Sequence, residues 1–277
     1  MKIIMIGAGN LATSLAVALT DAGHDILQVY SRTMQSAQTL ATIAGGAAVT
    51  DISQVRADAD VYILSVKDDA LPVLIPQLCR GSEDKLFLHT AGSVSIDVFQ
   101  GMARHYGVFY PMQTFSRQKR VSFEEIPCFI EGSGEEETDA IEALASQLSH
   151  RVYRLSSEAR KYLHLSAVFA CNFVNHCYAI SAELLEKHGI PFDVMLPLID
   201  ETAAKVHQML PKDAQTGPAV RYDENVIRAQ SQLLKNNPLV KDIYDRMSMN
   251  IHRLSEEFNS FTNHKVPSSK YDKLRFR

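Results

Sequence analysis

The sequence predicts an α/β domain with a doubly wound, largely parallel sheet, followed by an all-α domain. In the first half of the chain, short apolar runs alternate with segments of helical spacing, which is the pattern of a parallel sheet covered by helices on both faces. A glycine-rich turn directly follows the first apolar run. After Leu155 the strand signals stop and the remaining segments are helical. We therefore expect one domain over residues 1–155 and a second over residues 156–277.

Six strands and three helices are expected in the first domain. Residues 2–6 form a short apolar run, as expected of a strand that is buried on both faces. Residues 11–22 repeat apolar side chains at helical spacing and end at Gly23. A capping box of Ser133 and Glu136 is expected to begin the third helix. The expected strands are residues 2–6, 26–30, 61–66, 86–89, 108–110 and 128–130, and the expected helices are residues 11–22, 33–43 and 133–148.

One long helix is expected to dominate the second domain. Residues 157–188 contain no proline or glycine, and Gly189 and Pro191 follow them. A helix of about 30 residues spans about 45 Å, so we expect it to form the spine of this domain or a subunit interface. Further helices are expected over residues 194–210, 223–234 and 238–258, and the polar, basic tail over residues 262–277 is expected to fray.

Composition favours small molecules or another subunit as partners. Hydrophobic residues make up 46% of the 277-residue chain and charged residues 22%, and the net charge of -4 gives no electrostatic case for nucleic acid. No signal peptide and no apolar run of transmembrane length is apparent, so we expect a cytoplasmic protein. Four cysteines lack C-x-x-C spacing, so the sequence predicts no metal site and no redox dithiol. Cys171 and Cys177 are interpreted as buried free thiols of the long helix.

The turn after the first strand predicts a dinucleotide site. Gly7-Ala8-Gly9-Asn10-Leu11-Ala12 has the spacing G-x-G-x-x-A of a Rossmann domain. Gly7 allows a tight turn, Gly9 leaves room for a pyrophosphate, and Ala12 lets the helix pack closely on the strand. Asn10 and Leu11 open the helix, where free N–H groups attract the phosphates. The alternative is a plain glycine turn.

The end of the second strand favours NADP over NAD. NAD sites usually place Asp or Glu there to hold the ribose 2′-hydroxyl, whereas this chain has Ser31, Arg32 and Thr33. Arg32 can hold a 2′-phosphate through charge-assisted hydrogen bonds, with Ser31 and Thr33 as further donors. The alternative is a solvated surface arginine. Ser65 and Val66, which follow the third clear strand, complete the expected cofactor contacts.

Five polar side chains are candidates for the chemistry. His89 follows the fourth strand, and Gln113 and Thr114 follow the next, at the edge of the sheet where ligands bind. His164 and Asn172 interrupt an apolar stretch of the long helix, where a buried polar group is costly unless it is paired. We expect all five to converge on one cleft that faces the nicotinamide. The alternatives are ordinary turn chemistry for the first three, and structural roles in a dimer core for the two helical residues.

The N-terminal third of the chain resembles the NADP-binding domain shared by pyrroline-5-carboxylate reductases and deazaflavin-dependent NADP oxidoreductases. The motif at residues 7–12, the Ser31-Arg32 pair and residues 61–69 carry that similarity. The rest is similar to a bacterial family of provisionally named NADP oxidoreductases whose C-terminal domain is of unknown function. The residues that carry this second similarity are 89–92, 111–115, His164 with 167–173, and 216–218 with Arg221 and Asp223.

The resemblance implies a helical second domain like that of 6-phosphogluconate dehydrogenase, and a homodimer through the C-terminal helices. It implies no particular substrate. Related hydroxyacid dehydrogenases carry a catalytic lysine four residues before an asparagine of this helix. If Asn172 is that asparagine, the lysine is replaced by Val168, which cannot transfer a proton. His164, one turn earlier, is the obvious substitute.

Together these observations predict an NADP-dependent oxidoreductase. We expect a hydride to pass between NADP(H) and a small carbonyl or imine substrate that is bound between the two domains. His164 would donate the proton, and Asn172, Gln113 and Thr114 would orient the substrate. Two alternatives stay open: a non-catalytic NADP(H)-binding sensor, and an assembly protein that has lost its cofactor. The intact glycine motif argues against the second alternative.

Overall fold

The computed structural model describes residues 1–116 and 121–263, with side chains described up to residue 257. The chain divides into two compact units, Met1–Val174 and Asn175–Arg277. This division lies inside the long helix, whose first turns are bonded to Glu131 of the sheet through Ser157 and Arg160. The domain boundary expected between residues 155 and 156 stays a prediction.

The first unit contains an eight-stranded sheet in the order β3-β2-β1-β4-β5-β6-β7-β8. All neighbouring strands are parallel except β6 and β7. The strands are β1 Lys2–Ile6, β2 Asp25–Tyr30, β3 Ala47–Val49, β4 Val61–Leu64, β5 Leu86–His89, β6 His105–Pro111, β7 Cys128–Gly132 and β8 Val152–Arg154. The chain therefore has the strand order of a Rossmann domain over its first six strands.

Helices cover both faces of the sheet, and the strands separate two apolar cores. Ile3 and Met5 of β1 lie in one core, and Ile4 and Ile6 lie in the other, because successive side chains of a strand point to opposite faces. The helices of this unit are α1 Asn10–Asp21, α2 Met34–Ala44, α3 Leu71–Cys79, α4 Glu135–Ser146 and α5 Ser157–Ala167. The α/β class and all six predicted strands are confirmed.

Three elements of this unit were not predicted, and one prediction is wrong. The strands β3 and β8 are only three residues long, too short for a clear strand signal, and α3 contains Pro72 and Pro76. The expected capping box does not form, because extended backbone at Gly134 places the helix start at Glu135. Glu137 instead pairs with His105, with 2.7 Å between the carboxylate and Nδ1.

The predicted long helix is present as an unbroken run over Ser157 to Glu186. Its middle is not an α-helix, because Val168–Phe173 forms a π-helix between α5 and α6 Val174–Glu186. The expectation of buried thiols on this helix is wrong, since Cys171 is exposed and Cys177 is only partly buried. Cys79 and Cys128 are buried in the first unit, and burial raises the pKa of each thiol to about 12.

The second unit consists of helices. After α6 these are α7 Leu196–Gln208, α8 Pro211–Ala214, α9 Glu224–Leu233 and α10 Pro238–Asn263. The side chain of Asp223 caps α9 by accepting a hydrogen bond from Val226 N–H at 3.4 Å. The last helix continues five residues beyond its expected end, and the rest of the expected tail, residues 264–277, lies outside the described residues. Among the described helices, none has both the length and the hydropathy needed to cross a bilayer.

Candidate cofactor and proton-donor site

Gly7 is required by the fold itself. Its φ of +113° lies in the region that favours glycine, and a Cβ added there would lie 2.0 Å from the Ser65 carbonyl oxygen. The N–H of Gly7 donates to the Tyr30 carbonyl at 2.8 Å, and Ser65 N–H donates to the Ile6 carbonyl at 2.8 Å. The turn thus joins the ends of β1, β2 and β4. A side chain at position 7 would separate these strands.

Gly9 has no such reason to be glycine. Its backbone is extended with an ordinary φ of −78°, it is exposed, and an added Cβ would meet no protein atom within 4 Å. Gly9 precedes α1, whose first-turn N–H groups have no partner within the helix and whose first turn contains no acidic residue. Open space in front of a helix N-terminus fits a pyrophosphate, which the dipole and the free N–H groups attract.

The remaining fingerprint residues connect this turn to its surroundings. Ala12 is fully buried against the sheet, and Leu11 packs on the same core. The Asn10 amide donates to the Phe115 carbonyl at 3.0 Å, so the segment after β6 is tied to the start of α1. Gln113 and Thr114 lie in this segment and are exposed, and the Thr114 N–H donates to Gln113 Oε1 at 2.8 Å. The structure therefore brings these two polar side chains close to the fingerprint.

At the end of β2, the three predicted phosphate-binding residues differ in their surroundings. Arg32 is exposed and makes no ion pair with the described residues. Ser31 is half-buried, and its N–H donates to the Val49 carbonyl at 3.1 Å. Thr33 caps α2, and its hydroxyl donates to Ser36 Oγ at 2.9 Å. Arg32 is therefore the strongest of the three candidates for a 2′-phosphate.

The end of β4 lies beside the glycine turn. Ser65 and Val66 are half-buried, and both lie within about van der Waals distance of Gly7. The hydroxyl of Ser93, from the turn after β5, donates to the Asp68 carboxylate. Ser95 caps the following 3-10 turn, as its residue type predicts, by accepting from the Asp97 N–H at 3.2 Å. The turns after β4 and β5 are therefore joined.

His89 is placed differently from the expectation. Its side chain is completely buried and stacks on Phe99, with 5.8 Å between the ring centroids. Its Nδ1 accepts a hydrogen bond from the Ala91 N–H at 3.1 Å, so the ring proton is on Nε2. Burial, and then the charge of Arg160, lower the pKa of His89 to about 3. His89 is therefore a neutral group beneath the site, without access to a ligand, because alternate residues of β5 point into the core.

His164 lies at the carboxyl edge of the sheet. Its Nδ1 is 3.1 Å from the Tyr110 hydroxyl at the end of β6, and the two rings meet edge to face with centroids 6.0 Å apart. Gly92 makes this contact possible, because an added Cβ would lie 2.5 Å from His164 Nδ1 and 2.9 Å from Tyr110 Cζ. The half-buried imidazole thus packs on the turn after β5.

Asn172 is exposed and lies in the π-helix. In an α-helix of about 3.6 residues per turn, a residue eight positions beyond His164 would lie roughly 80° further around the axis. A π-helix has more residues per turn, since its hydrogen bonds join residues five apart. Each of its residues therefore rotates less around the axis, and the angle between the two residues becomes smaller. The π segment therefore brings Asn172 closer to the face of His164 than an α-helix would. The structure shows no contact of Asn172 with the other four candidates.

Two residues of the site were missed by the sequence analysis. Tyr110 was read only as part of a strand, and Arg160 was not considered, although it lies one helical turn before His164. Arg160 is completely buried, and its guanidinium donates to Glu131 at 2.7 Å and to the Val94 carbonyl at 2.6 Å. It also donates to Ser157 Oγ at 3.0 Å. A fully buried cation needs such partners, and here they fix α5 on the sheet.

Two family models match most of the chain. Residues 2–92 match the family described as NADP oxidoreductase, coenzyme F420-dependent. Residues 126–251 match a domain of unknown function, DUF2520. No curated protein sequence matches the chain significantly.

Solved structures share the fold over almost the whole chain. A provisionally named NADP oxidoreductase of Bacteroides fragilis is 54% identical, with 91% of this chain and 98% of that chain covered and a TM-score of 0.87. A protein of Thermotoga maritima is 22% identical, with 92% and 99% covered and a TM-score of 0.76. An imine reductase of Myxococcus stipitatus, in complex with NADP+, is 16% identical, with 93% and 95% covered and a TM-score of 0.67.

The contrast between the two glycines gives a first prediction. Gly9→Val should lose NADPH binding, because its side chain would occupy the space expected for the pyrophosphate, while the chain still folds. An apolar residue at this cap position costs about 1 kcal/mol, too little to unfold a domain. Calorimetric titration with NADPH and a thermal unfolding curve measure the two effects. Gly7→Ala is the contrasting variant, expected to lower the unfolding temperature. A folded Gly9→Val protein with unchanged affinity would refute the site.

Cofactor choice gives a second prediction. Arg32→Ala should weaken NADPH binding by roughly 10- to 100-fold, the equivalent of about 1.5–3 kcal/mol for a charge-assisted hydrogen bond. NADH has no 2′-phosphate, so its affinity should change little. Titrations of both cofactors into wild type and variant measure the difference. Equal losses for the two cofactors would show that Arg32 does not contact the 2′-phosphate.

Proposed function

Because this chain belongs to the family of NADP oxidoreductases represented by the Bacteroides fragilis protein, we propose that it transfers a hydride between NADP(H) and a small carbonyl or imine substrate. Membership of this family means that the chain is an enzyme and that NADP is its cofactor. The nature of the substrate is our inference. The likeness in fold to an imine reductase supports a substrate with a C=N bond. Apart from the two histidines, the five candidate side chains are uncharged amides and a hydroxyl, which supports an uncharged reacting group.

The observation that carries this proposal is the position of His164. Its imidazole lies at the carboxyl edge of the sheet, on the turn after β5, which is joined through Ser93 and Asp68 to the turn after β4. That second turn contacts Gly7 of the fingerprint. A nicotinamide bound along this edge would lie next to these turns, since ligands of open α/β sheets bind at the carboxyl ends of the strands.

Each residue then has a chemical task. Bound NADPH supplies the hydride. His164 donates a proton to the oxygen or nitrogen of the substrate, since histidine is the side chain that most often transfers protons in catalysis. Gln113, Thr114 and Asn172, all exposed, orient the substrate by hydrogen bonds. His89 acts from beneath as a neutral support of the turn that holds His164.

A substrate screen tests this function. Small aldehydes, ketones and cyclic imines are incubated with the protein and NADPH, and the loss of NADPH absorbance is followed. With an active compound, His164→Gln should lower kcat by about 100-fold or more, which is the usual contribution of a general acid. His188→Gln, a substitution of an exposed histidine, is the matched control and should leave kcat unchanged. Tight NADPH binding without turnover of any compound would instead favour the sensor.

We further propose that the protein is a homodimer through its C-terminal helices. Tyr162, Leu165, Phe169 and Phe173 recur every three or four residues on the long helix, and their exposed fractions are 69%, 51%, 61% and 50%. In the second unit, Leu239 on α10 is 79% exposed and Leu233 at the end of α9 is 83% exposed. Large apolar surfaces of this kind are unusual on monomers. A second copy of the chain offers the same apolar faces, as a two-fold interface requires.

Light scattering coupled to size-exclusion chromatography tests the dimer. The wild type should have twice the mass of the chain at micromolar concentration, and Leu165→Glu with Phe169→Glu should have the mass of one chain, because charges would be buried in the interface. Val73→Glu on α3, also at an exposed apolar position, should leave the dimer intact. A monomeric wild type at high micromolar concentration would contradict the proposal. A cytoplasmic location stays a prediction.

A further inference from the structure

Tyr110 is the one side chain of the described residues that hydrogen-bonds to His164. It is nearly buried, with a relative exposure of 9%, and its hydroxyl lies 3.1 Å from His164 Nδ1. The tyrosine comes from β6, whereas the histidine comes from α5, 54 residues later. Such a contact does not arise from local sequence. It depends on Gly92, which leaves the space in which the two rings meet.

A phenol that carries its proton can donate to Nδ1 or accept from it, so the tautomer of His164 sets the direction of this hydrogen bond. Burial raises the pKa of Tyr110, and the nearby charge of Arg160 acts in the opposite direction. The phenol therefore carries its proton at neutral pH. A neutral imidazole has one donor and one acceptor nitrogen. When the phenol donates to Nδ1, the proton of His164 must be on Nε2.

We propose that Tyr110 is a positioning residue that fixes His164 in the Nε2–H tautomer and replaces the proton that His164 gives away. The proposal rests on the proposed function of His164 as proton donor. It also removes a difficulty of that function, because a neutral imidazole that loses its proton without replacement would become an imidazolate anion.

The proton transfers balance. The bond between Nε2 and its proton breaks, and the proton forms a bond with the oxygen or nitrogen of the reduced substrate. The Tyr110 O–H bond breaks at the same time, and its proton bonds to His164 Nδ1. The imidazole stays neutral, and the negative charge that the substrate has lost is now on the phenolate. A proton from water then bonds to Nε2, and the proton on Nδ1 returns to the phenolate, so that both the phenol and the original tautomer are restored.

The charge of Arg160 favours the phenolate form of Tyr110, in opposition to burial. Its guanidinium is completely buried, and its charge offsets part of the rise in the pKa of Tyr110 that burial causes. Glu131 neutralises part of that charge at 2.7 Å, and the Nε of Arg160 has no hydrogen-bond partner among the described residues. A fixed buried cation costs no reorganisation when a negative charge develops nearby. A buried arginine one turn before His164 would therefore assist the proton transfer.

Imidazole ¹⁵N chemical shifts test the tautomer without any substrate. The full-length protein is labelled at its histidines, saturated with NADP+, and compared with Tyr110→Phe; His164→Gln assigns the His164 signals. The wild type should show His164 with a protonated Nε2 and an unprotonated Nδ1, and Tyr110→Phe should show a mixture of tautomers. Tyr106→Phe, four residues earlier on the same strand, should leave the His164 signals unchanged. A wild-type Nδ1–H tautomer, or unchanged shifts in Tyr110→Phe, would overturn the proposal.

Kinetics separate this proposal from the proposed function. With any compound that the enzyme turns over, Tyr110→Phe should lower kcat by roughly 10- to 100-fold, the lower part of the range for acid–base contributions, with little change in KM. Tyr106→Phe should retain kcat. If no compound is turned over, the function of His164 fails while the ¹⁵N result still stands. If Tyr110→Phe keeps the kcat of the wild type, the relay is refuted although the enzyme is active.

Discussion

The buried pair of Arg160 and Glu131 is the interaction on which the proposed chemistry depends. It joins the first helix after the sheet to β7, and it satisfies a cation that has no access to water. Ser157 strengthens the connection, since its hydroxyl donates to Glu131 at 2.6 Å and accepts from the Ile96 N–H at 2.9 Å. Removing one member of such a pair leaves an uncompensated buried charge, which is strongly destabilising. The helix that carries His164 is thus fixed in position by electrostatics as well as by packing.

The same charge influences two further groups. His89 is neutral over the physiological range, because burial, followed by the charge of Arg160, lowers its pKa from 6.5 to about 3. Its neutral form is favoured in the folded state, so its contribution to stability is complete above about pH 6.5 and is lost as the pH falls toward 3. Tyr110 lies in the same environment and keeps its proton. Burial therefore sets the protonation of both groups, and the charge of Arg160 adds to its effect at His89 and opposes it at Tyr110.

The sequence predicted the sheet domain well because its signals are local. Apolar runs and glycine spacing need only neighbouring residues, and they identified the six strands and the fingerprint. The capping box at Ser133 failed because an extended Gly134 precedes the helix instead, and β3 and β8 were missed because each is only three residues long. Of the candidate site, His164 was proposed because it is polar on an otherwise apolar helix. Its partner Tyr110 could not be found, since the contact between them depends on the sheet register and on the space at Gly92.

The two glycines of the fingerprint differ in what would exclude a side chain at their positions. Gly7 is held by its left-handed backbone and by the Ser65 carbonyl, so any folded descendant must keep it. Gly9 is free of every protein contact that would exclude a side chain, and no folding requirement maintains it. A gene copy released from cofactor binding would accumulate substitutions at position 9 long before position 7. The fold therefore gives no reason for a glycine at position 9, whereas the predicted binding of a dinucleotide would give one.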